Sequence, residues 1–261
     1  MHVPAGGADR QPTMDRHSLY EAAVQDAEQL CAFLERLHGA GPSRLGEDCC
    51  GTALLARTFV ARAPGRDAVA LDLDPVVLAR ACAPGVVRVH GDLRANLELP
   101  TCDLVHLGNF SVGYLRTRAE LLGYLDRTRR RLAPGGVLTL DTYGGARAYQ
   151  RGVIERRRVL RDGSVVEARF ERVECDPLRA RVVDHLHLRR RLGAAVLDDH
   201  PRAFIYEWRL WTPMELVEAV EEAGFAGWRW HAELGSGRAG VSGADLDEEW
   251  VVLMEVSRGP T

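Results

Sequence analysis

The sequence predicts an α/β fold with a Rossmann-like, seven-stranded sheet and an antiparallel β insert after the fifth strand. Residues 44–75 have the pattern of strand, turn of small residues, helix and strand, which is typical of a nucleotide-binding βαβ unit. Strands and helices continue to alternate beyond this unit, as they do in parallel sheets. Between residues 151 and 210, turn signals instead separate β-rich stretches, which indicates antiparallel strands.

Composition predicts a soluble, globular protein, since 46% of the 261 residues are hydrophobic and 27% are charged. The net charge of −3 argues against a broad electrostatic attraction to nucleic acid. All 34 cationic residues are arginine, which excludes lysine chemistry such as a Schiff base. The six cysteines form no CxxC pair and no secretory signal is evident, so we expect reduced thiols and a cytoplasmic location. No apolar run approaches the ~20 residues that cross a bilayer, so no membrane role is indicated.

The N-terminal residues predict an arm followed by a helix. Residues 1–17 are rich in Gly, Pro and charge and have little to bury, so we expect a disordered arm. Residues 18–40 then hold one helix, capped by Ser18 and extending to Leu37, because apolar side chains recur on one of its faces. The helix lies outside the βαβ unit and can act as a cap over it.

Residues 41–150 form the predicted ligand-binding core. Gly51 lies in the turn after the first strand, where it can adopt a positive φ at no steric cost and let a ligand approach the backbone. Asp72 ends the second strand 21 residues later, at the place where an acidic side chain commonly accepts hydrogen bonds from a ribose. The turn has one glycine where dinucleotide folds use three, and Glu47 would repel a pyrophosphate. Both features disfavour a nicotinamide-dependent dehydrogenase.

The run EDCCGTALLA, residues 47–56, resembles the first motif of class I S-adenosylmethionine (SAM)-dependent methyltransferases. It is similar in particular to a bacterial and plant branch that carries EDFCGTA, although only the central glycine of the wider acidic-x-Gly-x-Gly-x-Gly pattern is present. The segment YEAAVQ, residues 20–25, is similar to a Tyr-x-x-Ala-Val-Gln segment of that branch, and YEWRLWT, residues 206–212, to its YxWRLWT stretch. The resemblance implies the class I methyltransferase sheet, SAM as the cofactor and S-adenosylhomocysteine as the product.

The resemblance also implies a set of cofactor-binding residues. Tyr20 or Gln25 would close over the cofactor, and Asp92, after the third strand, matches the acid that accepts a hydrogen bond from the adenine amino group. Packing of the helix on the sheet is the alternative for the first two, and ordinary turn chemistry is the alternative for Asp92. The full set is Tyr20, Gln25, Glu47, Cys49, Cys50, Gly51, Asp72, Leu73, Asp92, Leu93, Leu107 and Gly108.

The run LGNFSVGYL, residues 107–115, resembles the fourth motif of small-molecule methyltransferases of the glycine N-methyltransferase kind. The resemblance implies that Gly108 and Asn109 line the space around the transferable methyl group, while capping of the next helix is the alternative for Asn109. The candidate catalytic residues are Asn109, His106 and Tyr143. The candidate substrate-binding residues are Asn109, Arg147, Tyr206 and Arg209.

Residues 151–210 predict an insert that forms a substrate lid. Its turn signals are Asp-Gly at 162–163 and Asp-Pro at 176–177. The predicted strands are 156–160, 165–173, 180–189 and 202–210. Such an insert can fold over the carboxyl ends of parallel strands, where open α/β sheets bind ligands.

Residues 211–261 return to the core, with a helix that Thr212 caps and with strands at 227–233 and 249–256. His185 and His187 lie two apart on one strand, as a metal-binding pair would, but no third ligand is identifiable. We therefore expect strand histidines and no metal site.

The leading prediction is a methyltransferase that transfers a methyl group from SAM to nitrogen or oxygen of a small molecule. An RNA or protein methyltransferase that uses arginine patches at 156–158 and 189–191 is the first alternative, although nucleic acid is not the expected partner. A SAM-binding protein without catalysis is the second. A homodimer is left open.

Overall fold

The structure, a computed structural model, describes residues 12–232 and 248–259. The chain divides into two compact units. Unit 1 consists of the described part of Met1–Gln25 together with Gly152–Val173 and Asp184–Tyr206. Unit 2 consists of Asp26–Arg151, Glu174–Val183 and the described part of Glu207–Thr261. The N-terminal helix and most of the antiparallel insert thus belong to one unit, and the parallel sheet belongs to the other.

Strands and helices mostly alternate up to the fifth strand, and four further strands then precede the last helix and the last two strands. The helices are α1 Arg16–Val24, α2 Ala27–His38, α3 Leu54–Ala61, α4 Pro75–Leu78, α5 Arg118–Arg131 and α6 Pro213–Glu222, with a 3-10 helix at Ser111–Tyr114. The strands are β1 Arg44–Asp48, β2 Asp67–Asp72, β3 Val86–His90, β4 Cys102–Leu107, β5 Leu132–Gly144, β6 Gly152–Val159, β7 Val165–Asp176, β8 Arg181–Leu192, β9 Ala195–Arg209, β10 Gly227–His231 and β11 Trp250–Ser257. No helix of the described residues is both long enough and apolar enough to cross a membrane.

Unit 2 contains a seven-stranded sheet in the order β10-β11-β5-β4-β1-β2-β3. Strands β1 to β5 pair in parallel, whereas β11 is antiparallel to both of its neighbours. The strand order reverses between β1 and β4. In open α/β sheets, ligands bind beyond the carboxyl ends of the strands at such a switch point. This edge of the sheet therefore carries the candidate site.

Apolar side chains cover both faces of this sheet. One cluster packs α5 and α6 against the sheet, with Tyr124 and Trp211 as its largest members. The other packs α2 and α3 against the opposite face, around Phe33 and Phe59. Each fully buried side chain of this size contributes roughly 1.5–3 kcal/mol. Both helix layers thus hold the strand ends in fixed positions.

The single N-terminal helix predicted from Ser18 to Leu37 is wrong, because the structure has two helices there. Gln25 is extended, with φ −105° and ψ 140°, and the side chain of Asp26 then caps α2 by accepting a hydrogen bond from the Gln29 amide. Asp15, rather than Ser18, caps α1, so the helix also begins inside the predicted arm. The rest of the arm, residues 1–11, lies outside the described residues, as does Glu233 at the end of the predicted sixth strand.

Unit 1 is built on the four-stranded sheet β6-β7-β8-β9, and β6 pairs antiparallel with β7. Apolar residues of α1 pack against this sheet, with Leu19 fully buried. The predicted turn at Asp162–Gly163 is present, since Gly163 has φ 78° and Asp162 accepts a hydrogen bond from the Ser164 amide. The predicted last strand, at 202–210, in fact begins at Ala195. A tight turn at Gly193 joins it to β8.

Candidate active site

The turn between β1 and α3 is held in an unusual backbone conformation. Cys49, Gly51 and Ala53 have φ values of 54°, 56° and 55°, so every second residue is left-handed. The Gly51 amide donates a hydrogen bond of 2.7 Å to Oδ2 of Asp72 at the end of β2. A Cβ added to Gly51 would meet no atom within 4 Å. Open space therefore lies beside the turn, and Asp72 of the neighbouring strand fixes the backbone of the turn.

Glu47 is buried beneath this turn. Its Oε2 accepts a hydrogen bond of 2.8 Å from the amide of Ala56 in the first turn of α3. Desolvation raises the pKa of Glu47 to about 8, and the hydrogen bond from Ala56 opposes that shift without overcoming it. At neutral pH the carboxyl group is therefore mostly protonated. The hydrogen bond from the Ala56 amide to Glu47 ties the end of β1 to α3.

The structure brings Cys49, Asp72 and Asp92 together at the sheet edge. Burial is the main cause of the raised pKa of the Cys49 thiol, and the charges of Asp72 and Asp92 raise it further. The other oxygen of Asp72 accepts a hydrogen bond from the Asp74 amide. Asp92 pairs with Arg94, whose Nη2 lies 2.6 Å from Oδ2, and this pair lowers the pKa of Asp92. An adenine amino group at Asp92 would share the carboxylate with this guanidinium.

The apolar members of the predicted cofactor set line the same strand ends. Leu73 follows β2 with 60% of its surface exposed. Leu93 is half-buried, and Leu107 and Gly108 are buried at the end of β4. Cys50 is buried as well, with its thiol near the Gly51 carbonyl. An exposed leucine beside a polar edge suits contact with the flat face of a base.

The turn after β4 contains a second pair of left-handed residues, Asn109 with φ 54° and Phe110 with φ 60°. Their amides donate to opposite oxygens of Asp141, at 3.0 Å for Asn109 and 2.6 Å for Phe110. Asn109 is exposed and does not cap α5, because Thr117 does so. The capping alternative for Asn109 is therefore wrong.

His106 is buried in β4, and its Nδ1 lies 2.9 Å from the hydroxyl oxygen of Thr139 on β5. Desolvation lowers the pKa of His106 to about 4, so the ring is neutral at pH 7. A Cβ added to Gly108 would lie only 2.2 Å from Nε2 of this ring. A side chain at position 108 would therefore displace this imidazole ring.

Aromatic rings border the Asn109 turn. Phe110 contacts Tyr143 with 4.6 Å between ring centroids, and both rings contact Trp208 at 5.8 and 6.0 Å. Tyr114 of the 3-10 helix lies 6.4 Å from Trp208. Desolvation raises the pKa of Tyr114 to about 12, and the charges of Cys49 and Asp72 add to the shift. Tyr143 thus lies among three aromatic residues that were not predicted, and its role in the site stays a prediction.

Two predicted substrate-binding arginines are held by structural contacts within unit 2. Arg147 is exposed and pairs with Glu248 at 2.9 Å. The Arg209 guanidinium lies 3.6 Å from the centroid of the Trp211 ring and donates to Glu215 at 2.9 Å. Substrate contacts for both arginines stay predictions.

Tyr20, Gln25 and Tyr206 belong to unit 1. The ring of Tyr20 contacts Phe204 at 5.2 Å, and Tyr206 stacks on the same ring at 6.2 Å. The carbonyl of Gln25 accepts a hydrogen bond from Arg158 at 3.0 Å. The roles that the resemblance implies for these three residues also stay predictions.

A buried network that the sequence did not reveal lies behind the turn. Asp48 accepts hydrogen bonds from Arg131 at 2.8 and 2.9 Å and from the Tyr124 hydroxyl at 2.9 Å. The three side chains line a cavity of about 270 Å³ that also reaches Leu93. Only the Glu-Asp pair at the end of β1 hinted at this network. Its partners are 76 and 83 residues away along the chain.

His187 of the histidine pair is bonded within unit 1. Nε2 of His187 lies 3.1 Å from Glu171, and the rings of His185 and His187 are 6.3 Å apart. Among residues 12–232 and 248–259, no group of three or more His, Cys, Asp or Glu side chains is arranged to hold a metal ion.

No protein-family model matches the chain. A curated relative, the malonyl-[acyl-carrier protein] O-methyltransferase of Dechloromonas aromatica (strain RCB), is 31% identical over 135 residues, which are 50% of this chain and 48% of the relative. The chain therefore spans about half the length of the curated relative that it matches.

Two solved structures share the fold over nearly the whole chain. SAM-bound CalS10, an amino pentose methyltransferase from Micromonospora echinaspora involved in calicheamicin biosynthesis, superposes with a TM-score of 0.68 at 20% identity, covering 97% of this chain and 100% of CalS10. The sugar N-methyltransferase KedS8 from Streptoalloteichus sp ATCC 53650 superposes with a TM-score of 0.66 at 18% identity. The match covers 99% of this chain and 100% of KedS8. The predicted α/β fold, with a Rossmann-like seven-stranded sheet and an antiparallel insert after the fifth strand, is thereby confirmed.

Proposed function

We propose that this chain is a SAM-dependent methyltransferase that acts on nitrogen or oxygen of a small molecule. The observation that carries the proposal is the pair of strained turns at the switch point of the sheet. One turn, at 49–53, is tied to Asp72, and the other, at 109–110, is tied to Asp141. Left-handed backbone at non-glycine residues costs of order 1–3 kcal/mol each and is concentrated at functional sites. Two such turns side by side at the ligand-binding edge support a cofactor next to a reaction centre.

The residues present fit SAM. The open space beside Gly51 admits a ligand close to the backbone, Asp72 and Asp92 offer carboxylates for ribose and adenine, and exposed Leu73 offers an apolar surface. When bound, SAM supplies a methyl group on a positively charged sulfur. The binding of SAM in CalS10 supports the same cofactor here, because the two chains share their fold.

The protein's own contribution is alignment and exclusion of water. Alignment of two reacting groups is worth up to ~7–11 kcal/mol in the best oriented systems. In our proposal Asn109 orients the acceptor, and Phe110, Tyr143 and Trp208 keep water away from it. With a pKa of about 4, His106 is a weak base at neutral pH. A neutral amine needs no base before it attacks, whereas a hydroxyl does, so we favour nitrogen as the acceptor atom.

The names of the relatives support a small acceptor, since CalS10 and KedS8 act on sugars. The alternative of RNA binding gains little support from the arginine patch at 189–191. Arg189 pairs with Asp199 at 3.0 Å, and Arg190 is buried against Asp198 at 2.8 Å. These cations are neutralised within unit 1. The cytoplasmic location stays a prediction, and a homodimer stays open.

Calorimetric titration of the protein with SAM and with NAD tests the cofactor. We expect SAM to bind and NAD not to bind. The acceptor is then sought by incubating the protein and SAM with a panel of amino sugars, amines and hydroxylated compounds and measuring S-adenosylhomocysteine. NAD binding without SAM binding would refute the proposal, and SAM binding without turnover across the panel would favour the non-catalytic alternative.

A further inference from the structure

Asp141 is the one acid at this sheet edge that neither the fold nor the predicted cofactor set explains. It lies in β5 one residue past Leu140, which is the last partner of β4 through Leu107. Its two oxygens accept the consecutive amides of Asn109 and Phe110. Both of these residues are left-handed, a conformation that costs an L-residue roughly 1–2 kcal/mol. The carboxylate holds a turn that the chain would otherwise leave.

The turn sends its two side chains to different places. Asn109 is exposed, at the position predicted to face the methyl group, while the ring of Phe110 packs against Tyr143 and Trp208. With the amides free, the pair could relax to right-handed or extended backbone, which would move both side chains. The direction of Asn109 therefore depends on Asp141.

We infer that Asp141 is a positioning residue of the methyl-transfer site, whose ionised carboxylate fixes the Asn109–Phe110 turn in the geometry that the reaction requires. The turnover part of this inference rests on the proposed methyltransferase function. The clamp itself does not, because it concerns only backbone amides and a carboxylate.

The surroundings of Asp141 make the clamp sensitive to pH. Burial raises the pKa of Asp141 to about 6, against hydrogen bonds from the amides of Phe110, Asn109 and Asp141 itself, which lower it. Its partner on β11 is the apolar Leu253. The titratable side chains on the neighbouring strands β4 and β11 include His106, bonded to Thr139, and Glu255, bonded to His231 at 2.8 Å. No salt bridge among the described residues includes Asp141, so these amides are its main stabilising partners.

The first test follows the turn directly. In ¹H–¹⁵N spectra of the whole chain, we expect the amide signals of Asn109 and Phe110 to titrate together with a midpoint near pH 6. In Asp141→Asn, which keeps the shape but replaces one acceptor with a donor, this titration should disappear. Asp126→Asn, which changes an acid on the surface of α5 that pairs with Arg130, is the control and should keep it. Flat signals for both amides in the unmodified protein would overturn the inference.

The second test separates positioning from binding. For Asp141→Asn we expect kcat to fall about 10- to 100-fold, the range that displacement of a reacting group by ~1 Å produces, with S-adenosylhomocysteine affinity within about threefold of the original. Unchanged kcat, or an equal loss in kcat and affinity, would refute a positioning role. Should Asp141→Asn fail to fold, the titration in the unmodified protein still decides whether the clamp exists. Should no acceptor be found, the methyltransferase proposal fails and the spectra still decide the clamp.

Discussion

Replacement of Gly51 by valine tests whether the β1–α3 turn is the cofactor site. Gly51 has φ 56° and the added Cβ would meet no protein atom within 4 Å, so packing inside the protein contributes nothing to the effect. The backbone strain costs roughly 1–2 kcal/mol for an L-residue in this conformation. For a domain of this size, that loss lowers Tm by roughly 2–8 °C. Any further effect on SAM must come from the methyl groups entering the ligand's space.

Gly65→Val supplies the matched control. Gly65 has φ 80°, also has no atom within 4 Å of an added Cβ, and lies between α3 and β2 at the opposite edge of the sheet from the turn. Both variants should lose similar stability in thermal unfolding. By calorimetry, Gly51→Val should lose SAM affinity at least about tenfold, or ~1.4 kcal/mol, while Gly65→Val should keep it. Equal SAM affinities in the two variants would show that the turn does not contact the cofactor.

Three further predictions concern other parts of the site. Asn109→Ala should lower kcat more than SAM affinity, as measured by steady-state kinetics and calorimetry; an equal loss in both would make Asn109 a cofactor or structural residue. The folded protein holds the pKa of Glu47 at about 8, above its unfolded value, so stability should fall as pH rises from about 4.5 to 8. Glu47→Gln should flatten this dependence of Tm on pH in thermal melts. An unchanged dependence would contradict the raised pKa of Glu47. Arg131→Met should lower the free energy of unfolding, measured with denaturant, by about 3–5 kcal/mol, because Asp48 is left buried without its cation. A loss below about 1 kcal/mol would show that water reaches the Asp48 carboxylate.

The parallel core could be predicted because its signals are local. The turn around Gly51 and the acid that ends β2 are each contained in a few residues. The break between α1 and α2 was missed because apolar side chains continue at helical spacing across Gln25 and Asp26, so periodicity alone predicts one helix. Only the capping role of Asp26 separates the two.

Strand β9 was predicted too short for a different reason. Pro201 and the polar run before it argue against a strand, because proline cannot donate to a ladder of hydrogen bonds. In the structure β9 is an edge strand of its sheet, where the missing donor is tolerated. Sequence patterns do not tell an edge strand from a loop when both contain proline.

Three acids at the sheet edge, Glu47, Asp72 and Asp92, could be predicted as a group from their places near the ends of strands, yet not by role. Asp141, three residues before the end of β5, was not predicted with them. Their roles depend on which amide or cation lies opposite, and those partners come from elsewhere in the chain. Glu47 is neutralised by burial and secures a helix, whereas Asp92 keeps its charge beside Arg94.

This division matters for a cofactor that carries a positive sulfur and loses that charge in the reaction. Fully charged carboxylates packed around the sulfonium would stabilise the ground state more than the transition state, and so slow methyl transfer. Burial that keeps Glu47 mostly protonated removes one such charge from beneath the turn, and Asp141 directs its two oxygens at backbone amides. In the proposed function, Asp72 and Asp141 thereby shape the backbone of this edge, while Glu47 adds little negative charge to it.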